Sequence, residues 1–319
     1  MDKNSENILE NNKTIETFLT EIRDSDCRLK YSSSSLEIGH EEKKLIKSKI
    51  LKLIESEKKG DCVLLSRGLK KNVIQKRLIS KLNSNDSLYD GLFLVGDKAK
   101  NFLKKESDIP HPIKIITNTG FEVANWIFEE YENIKSGPIN LEYFKNGTNK
   151  EKFAKKVKDK TDLIDYYLFG LHTFNSDSLV NFVSSTSSLD VAMNHDNDLI
   201  IIFWLPKGYK HLCIYKEKLD ALKGMMKKLN LPILNNSFHP EENEYSMKGF
   251  ILPHYILCVF DMKENAIIIN PRILEEKNDW INDGFDIDGI DFREFIESTE
   301  YKRFLTLTDQ TSLNENYVC

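Results

Sequence analysis

Eight consecutive residues, Leu199-Ile200-Ile201-Ile202-Phe203-Trp204-Leu205-Pro206, carry no charge. A run this apolar has to hide both of its faces from water. It is too short to span a membrane, which takes about 18 apolar residues. It reads as a strand covered on both sides, and Pro206-Lys207-Gly208 terminates it.

The rest of the chain supplies the cover. Ile15, Phe18, Leu19 and Ile22 form one helical stripe. Leu45, Ile46, Ile50, Leu53 and Ile54 form a second on Glu41 to Lys58, with Gly60 as its C-cap. Cys62 to Arg67 reads as a strand punctuated by Gly68. Residues 70 to 170 read as mostly helical. One helix there opens at Asn118-Thr119-Gly120, closes at Gly137-Pro138, and buries Val123, Trp126, Ile127 and Tyr131. A lysine-rich helix over 145–160 buries Phe153 and Val157. Tyr166, Tyr167 and Phe169 read as core. From residue 180 the texture turns to β, with strands expected at Phe182 to Ser188, Phe250 to Phe260 and Ala266 to Asn270, and a helix over Lys216 to Leu229. The class is α+β. The boundaries suggested are an N-terminal helical extension over 1–58, a main domain over 59–270 with a helical lobe at 70–175, and an acidic, partly helical tail over 271–319.

Composition removes several function classes. A net charge of −5 gives no global footprint for nucleic acid or an anionic membrane. The five cysteines are odd in number and lack a C-x-x-C pair, which points to a reducing compartment. The first residues lack a basic segment followed by an apolar one, so no secretory signal peptide is expected. Asp286-Ile287-Asp288-Gly289 suggests a calcium loop. Aligning its glycine puts Gly284 and Phe295 at ligand positions, so an EF-hand is rejected.

Three motifs can carry chemistry. Side chains two apart on a strand share a face, so Glu242 and Glu244 would stand side by side, with Glu241 pointing away. Adjacent carboxylates repel each other. They are useful where one stabilises a cation and the other accepts a proton. Taken alone, the stretch also reads as an acidic loop entering a strand. Arg67 shares a strand face with Val63 and Leu65 and needs an anionic partner, which could equally be a surface carboxylate. Ser185-Thr186-Ser187 follows a short strand and could instead cap a helix at Leu189 to Met193. The extra hydroxyls of Ser184 and Ser188 leave the register of this motif open by one residue.

In this order, an early-strand Arg67, a strand running into Ser185-Thr186-Ser187, and a strand-entering Glu242-x-Glu244, the chain resembles the mono-ADP-ribosyltransferase superfamily of the R-S-E class. That group includes the cholera and heat-labile enterotoxin A chains and many bacterial effectors. The likeness spans residues 60 to 270 and extends to Glu242-Asn243-Glu244-Tyr245-Ser246-Met247-Lys248-Gly249. It implies a split β-sandwich core. The long stretch between Arg67 and Ser185 exceeds the spacing of the compact toxins and implies a helical insertion.

The resemblance also implies the chemistry. NAD would be the substrate, bound by Arg67, Ser185, Thr186, Ser187 and Glu244. Arg67 would hold a phosphate bidentately. Glu244 would stabilise the oxocarbenium-like ribosyl cation formed as nicotinamide leaves. Ser185 would hold Glu244 and the ribose, and Glu242 would activate the acceptor. A glutamate at Glu242 goes, in the family, with an arginine acceptor. The partners implied are NAD, a host target protein and, in some members, a host activator, with no nucleic acid and no membrane insertion. The loop Leu231 to Pro240, with Phe238, would touch the target. Localisation by analogy is delivery into host cytosol by a dedicated secretion system, as a virulence toxin. An NAD glycohydrolase on the same fold and a catalytically silent binding module are the alternatives.

Overall fold

The computed structural model describes residues 14–24, 29–31, 38–72, 88–98, 120–134, 141–174, 182–194, 197–234, 243–249, 251–274 and 279–285. Among them are ten α-helices and eight strands in a mixed sheet, so the class is α+β. Strand β4 (Leu199–Pro206) is buried at every position. Its antiparallel neighbours are β2 (Cys62–Leu69), in register from Cys62↔Pro206 to Leu69↔Leu199, and β7 (Ile256–Asp261). A register shift between Ile202 and Phe203 accommodates β7. Next comes β8 (Ala266–Ile269), antiparallel to β7, and then the two-residue β1 (Leu29–Lys30), parallel to β8. No helix among the described residues is long and apolar enough to cross a membrane.

The chain divides into two compact units, each discontinuous in sequence. The first takes Met1–Phe93, Ser185–Lys207 and His254–Asp286. The second takes Leu94–Ser184, Gly208–Pro253 and Ile287–Cys319. These divisions differ from the sequence boundaries at residues 58 and 270, because the first helices need the sheet to bury their stripes. Phe18 of α1 (Ile15–Asp24) lies 5.4 Å from Phe260 of β7. Helix α2 (His40–Lys59) buries Ile46, Ile50, Leu53 and Ile54 and offers the Glu57 carboxylate to the Leu64 N–H at 2.9 Å. It ends at Gly60, whose left-handed φ of 77° lets the Gly60 and Asp61 N–H groups return to the Glu57 and Ser56 carbonyls. Trp204 of β4 donates its indole N–H to the Ile281 carbonyl at 2.8 Å and packs edge-on against Trp280, which opens α10 (Trp280–Asp283).

The second unit is built on an aromatic core. Among its described residues the helices are α4 (Phe121–Asn133), α5 (Glu142–Lys145), α6 (Lys150–Val157), α7 (Thr161–Phe174) and α9 (Lys216–Leu229). Tyr131 stacks on Phe144 at 4.6 Å, and Phe153 meets Tyr167 edge-on at 4.9 Å. Buried tyrosines need partners for their hydroxyls. Tyr131 donates to the Tyr167 carbonyl, Tyr167 to the Pro232 carbonyl and Tyr166 to the Leu234 carbonyl. Strands β5 (Cys213–Ile214) and β6 (Glu244–Lys248) pair antiparallel here. The division between the units falls inside β3 (Phe182–Thr186), after Ser184.

Three local expectations are corrected. The single strand expected over Phe250 to Phe260 is interrupted: Ile251 bridges to Asp97, Pro253–Tyr255 is a 3-10 turn, and β7 begins only at Ile256. Proline cannot donate to a ladder, and here it starts the turn. The lysine-rich helix breaks at Asn146, whose side chain caps the turn at Thr148. The loop after α9 is not all surface: Leu231, Pro232 and Leu234 are buried and held by the tyrosines. Phe238, Gly137-Pro138 and residues 286–319 of the acidic tail lie outside the described residues.

Candidate functional site

In the first unit, β2 carries Arg67 half-buried and paired with Ile201 of β4. On its other side β2 meets β3 at Ser66↔Thr186. Strands are antiparallel there, so Arg67 and Ser185 each lie one step beyond that pair, on neighbouring strands. The fully buried Ser66 hydroxyl reinforces the junction, reaching the Thr186 carbonyl at 3.2 Å and the Ser188 carbonyl at 3.4 Å. Ser185 and Thr186 are buried, whereas Ser184 is exposed and Ser187 is half-buried. Thr186 accepts the Ser188 N–H at 2.9 Å and so turns the chain into α8 (Leu189–Met193). Ser188 occupies the N-cap position without a side-chain cap bond. The serine run therefore ends a strand and enters a helix at once.

Gly68 explains how a helix comes so close to the strand beside Arg67. A Cβ there would fall 2.0 Å from the Ala192 carbonyl oxygen and 2.0 Å from the Asn197 amide nitrogen. Only a residue without a side chain lets α8 approach β2 this closely. Asn197 holds the approach by donating to the Ala192 carbonyl at 2.8 Å.

In the second unit, Glu244 opens β6 and is half-buried. Its Oε1 accepts the Ser246 hydroxyl at 2.7 Å. Ser246 is fully buried and shares the Glu244 face of the strand. Two residues further, Lys248 forms a buried ion pair with Asp165 of α7 at 2.6 Å. In the same unit β3 contributes Phe182–Ser184, and the strand order sets β3 next to β6. Strand parity does not reach back to Glu242. Asn243 has a left-handed φ of 44°, so the extended alternation begins at Glu244. Glu242 itself lies outside the described residues.

Sequence reasoning missed Ser246 and Asp165. Ser246 had a usable signal, because residues two apart on a strand face the same way. Asp165 had none, since its partner is 83 residues away. Burial pushes the Cys62 and Cys213 thiols up to about 12, which keeps these two protonated. Among the described residues no cluster of His, Cys, Asp and Glu could hold a metal ion. Comparison of the chain with models of known families, with curated proteins and with solved structures gave no match.

Proposed function

We propose that this protein cleaves NAD at the nicotinamide–ribose bond and transfers ADP-ribose to a protein side chain, with arginine as acceptor. The observation that chiefly supports this reading is the Ser66↔Thr186 pair, which sets the motif residues Arg67 and Ser185 on adjacent strands of the first unit. The half-buried Glu244, gripped by a buried hydroxyl at the start of β6, supports it from the second unit. In this reading the core is an ADP-ribosyltransferase-like split β-sandwich, and the helices α4 to α7 are its helical lobe.

The chemistry assigns a task to each residue. The bond from ribose C1′ to the nicotinamide nitrogen breaks, and its electron pair leaves with nicotinamide. The ribose becomes an oxocarbenium-like cation. Glu244 stabilises that charge through the 2′-hydroxyl more than it stabilises the ground state, which lowers the barrier. Arg67 holds the pyrophosphate, and Ser185 to Ser187 line the nicotinamide ribose. The acceptor guanidine nitrogen bonds to C1′ and gives its proton to Glu242. A secreted bacterial effector acting on a host protein, with a host activator where one is required, would fit this chemistry.

Nicotinamide release from NAD, followed in wild type and Glu244→Gln, tests the reading. The variant should lose about 10²–10³-fold in kcat, the typical cost of removing one group that stabilises transition-state charge. Equal inertness of both proteins would overturn the enzymatic reading and leave a silent binding module. Glu242→Ala should lose transfer to protein while retaining hydrolysis. Labelled NAD in host lysate, read by mass spectrometry, identifies the acceptor. Label on no protein, with hydrolysis intact, would favour the NAD glycohydrolase.

A further inference from the structure

We infer that Ser246 is a positioning residue for Glu244, and that the buried Lys248–Asp165 pair anchors the strand that carries both; the inference rests on the NAD-cleaving role proposed above. Glu244, Ser246 and Lys248 are spaced i, i+2 and i+4 on β6 and project from one face. Ser246 has a single proton to donate, and it goes to Glu244 Oε1 at 2.7 Å. A carboxylate has two oxygens and about four lone-pair sites. A bond to Oε1 thus fixes the plane of the carboxylate that would meet the ribose 2′-hydroxyl. No proton passes through Ser246; its role is orientation.

The strand is held at both ends. Asn243 precedes it at φ 44° and Gly249 follows it at φ 91°, so the extended segment has no room to lengthen. Lys248 Nζ meets Asp165 Oδ1 at 2.6 Å with both side chains under a tenth exposed. A buried pair is tolerated only with good geometry, and it penalises any slip of β6 along α7. A shift of one residue would also turn Ser246 and Glu244 to the opposite face.

The test uses Ser246→Ala and Ser246→Cys in the full chain, with nicotinamide release from NAD measured across pH. Cys refills the position that Ala leaves short and is only a weak donor, so both variants should lose the bond to Oε1. We expect kcat to fall about tenfold, the scale of one charge-assisted hydrogen bond, with KM for NAD within about twofold. The acidic limb of the profile should move to higher pH, because the lost donor had favoured the ionised carboxylate. Wild-type kcat and an unmoved limb in the Cys variant would overturn the inference. If wild type releases no nicotinamide, the functional reading fails by itself. Carbon-13 NMR titration of the Glu244 carboxyl in wild type and Ser246→Cys then decides the positioning alone: a raised midpoint supports it, and an unchanged one overturns it.

Discussion

Asp261 ends β7 in the first unit and Asp165 lies within α7 in the second, and both carry a carboxylate into the interior. Asp261 is served by several donors. Its Oδ1 accepts the Lys263 and Glu264 N–H groups, each at 3.0 Å, and its Oδ2 accepts the Lys71 ammonium at 3.2 Å and the hydroxyl of Tyr89 in α3 (Leu88–Val95). Burial pushes this carboxyl up, but the Tyr89, Glu264 and Lys71 donors outweigh it and hold it below the usual carboxylate range. Asp165 takes its charge compensation from Lys248 alone among the described residues. Two of the Asp261 donors are backbone groups, which no side-chain substitution removes. A buried charge with redundant donors tolerates the loss of one; a buried charge with a single partner does not.

The largest effect should follow from breaking the second arrangement. Lys248→Met leaves Asp165 buried and unpaired and should cost about 3–5 kcal/mol. Adding Asp165→Leu should recover most of that, because two apolar groups need no partner. Urea unfolding reads both; a loss under about 1 kcal/mol for the single variant would end the contrast. In the first unit Lys71→Met should cost only about 1 kcal/mol, since Asp261 keeps its other donors.

Thiol labelling sharpens the contrast unit by unit. Cys213 pairs with Met247, next to Lys248, whereas Cys62 lies on β2 in the first unit. Lys248→Met should therefore speed labelling of Cys213 at pH 8 and leave Cys62 unchanged. Equal acceleration at both would show that the pair does not act locally.

The smallest effect is one of pH. The folded-state pKa of Asp261 lies below its unfolded value of about 3.9, so its contribution is complete above that value and is lost as pH falls through the folded one. Asp261→Asn should flatten this acid dependence in thermal melts below about pH 4. An unaltered slope would mean that other carboxylates set it.

Much of this was legible in the residues because it is local. The apolar run at Leu199–Pro206 announced a strand with both faces covered, and all of it is buried. The stripes at Ile15 and Ile46, the Gly60 cap and the helix at Lys216–Leu229 follow from side-chain spacing and a glycine's freedom at positive φ. The order Arg67, Ser185, Glu244 placed each residue on a strand, as the structure does. Glu242 shows where local reading stops: alternation presumes extended backbone, and Asn243 is left-handed.

Contacts distant in the chain decided the rest. Strand order β1-β8-β7-β4-β2-β3-β6-β5 is not chain order, because hydrogen bonds between strands carry no trace in the spacing of either. The two-residue strands β1 and β5 exist only through β8 and β6, since so short a segment has no periodicity of its own. The neighbourhood of Arg67 and Ser185 depends on one Ser66↔Thr186 pair across 120 residues. Asp165 is an ordinary helix residue until Lys248 is folded against it. Propensity acts within a few residues, whereas burying a charge or closing a ladder needs partners that only the folded chain brings near.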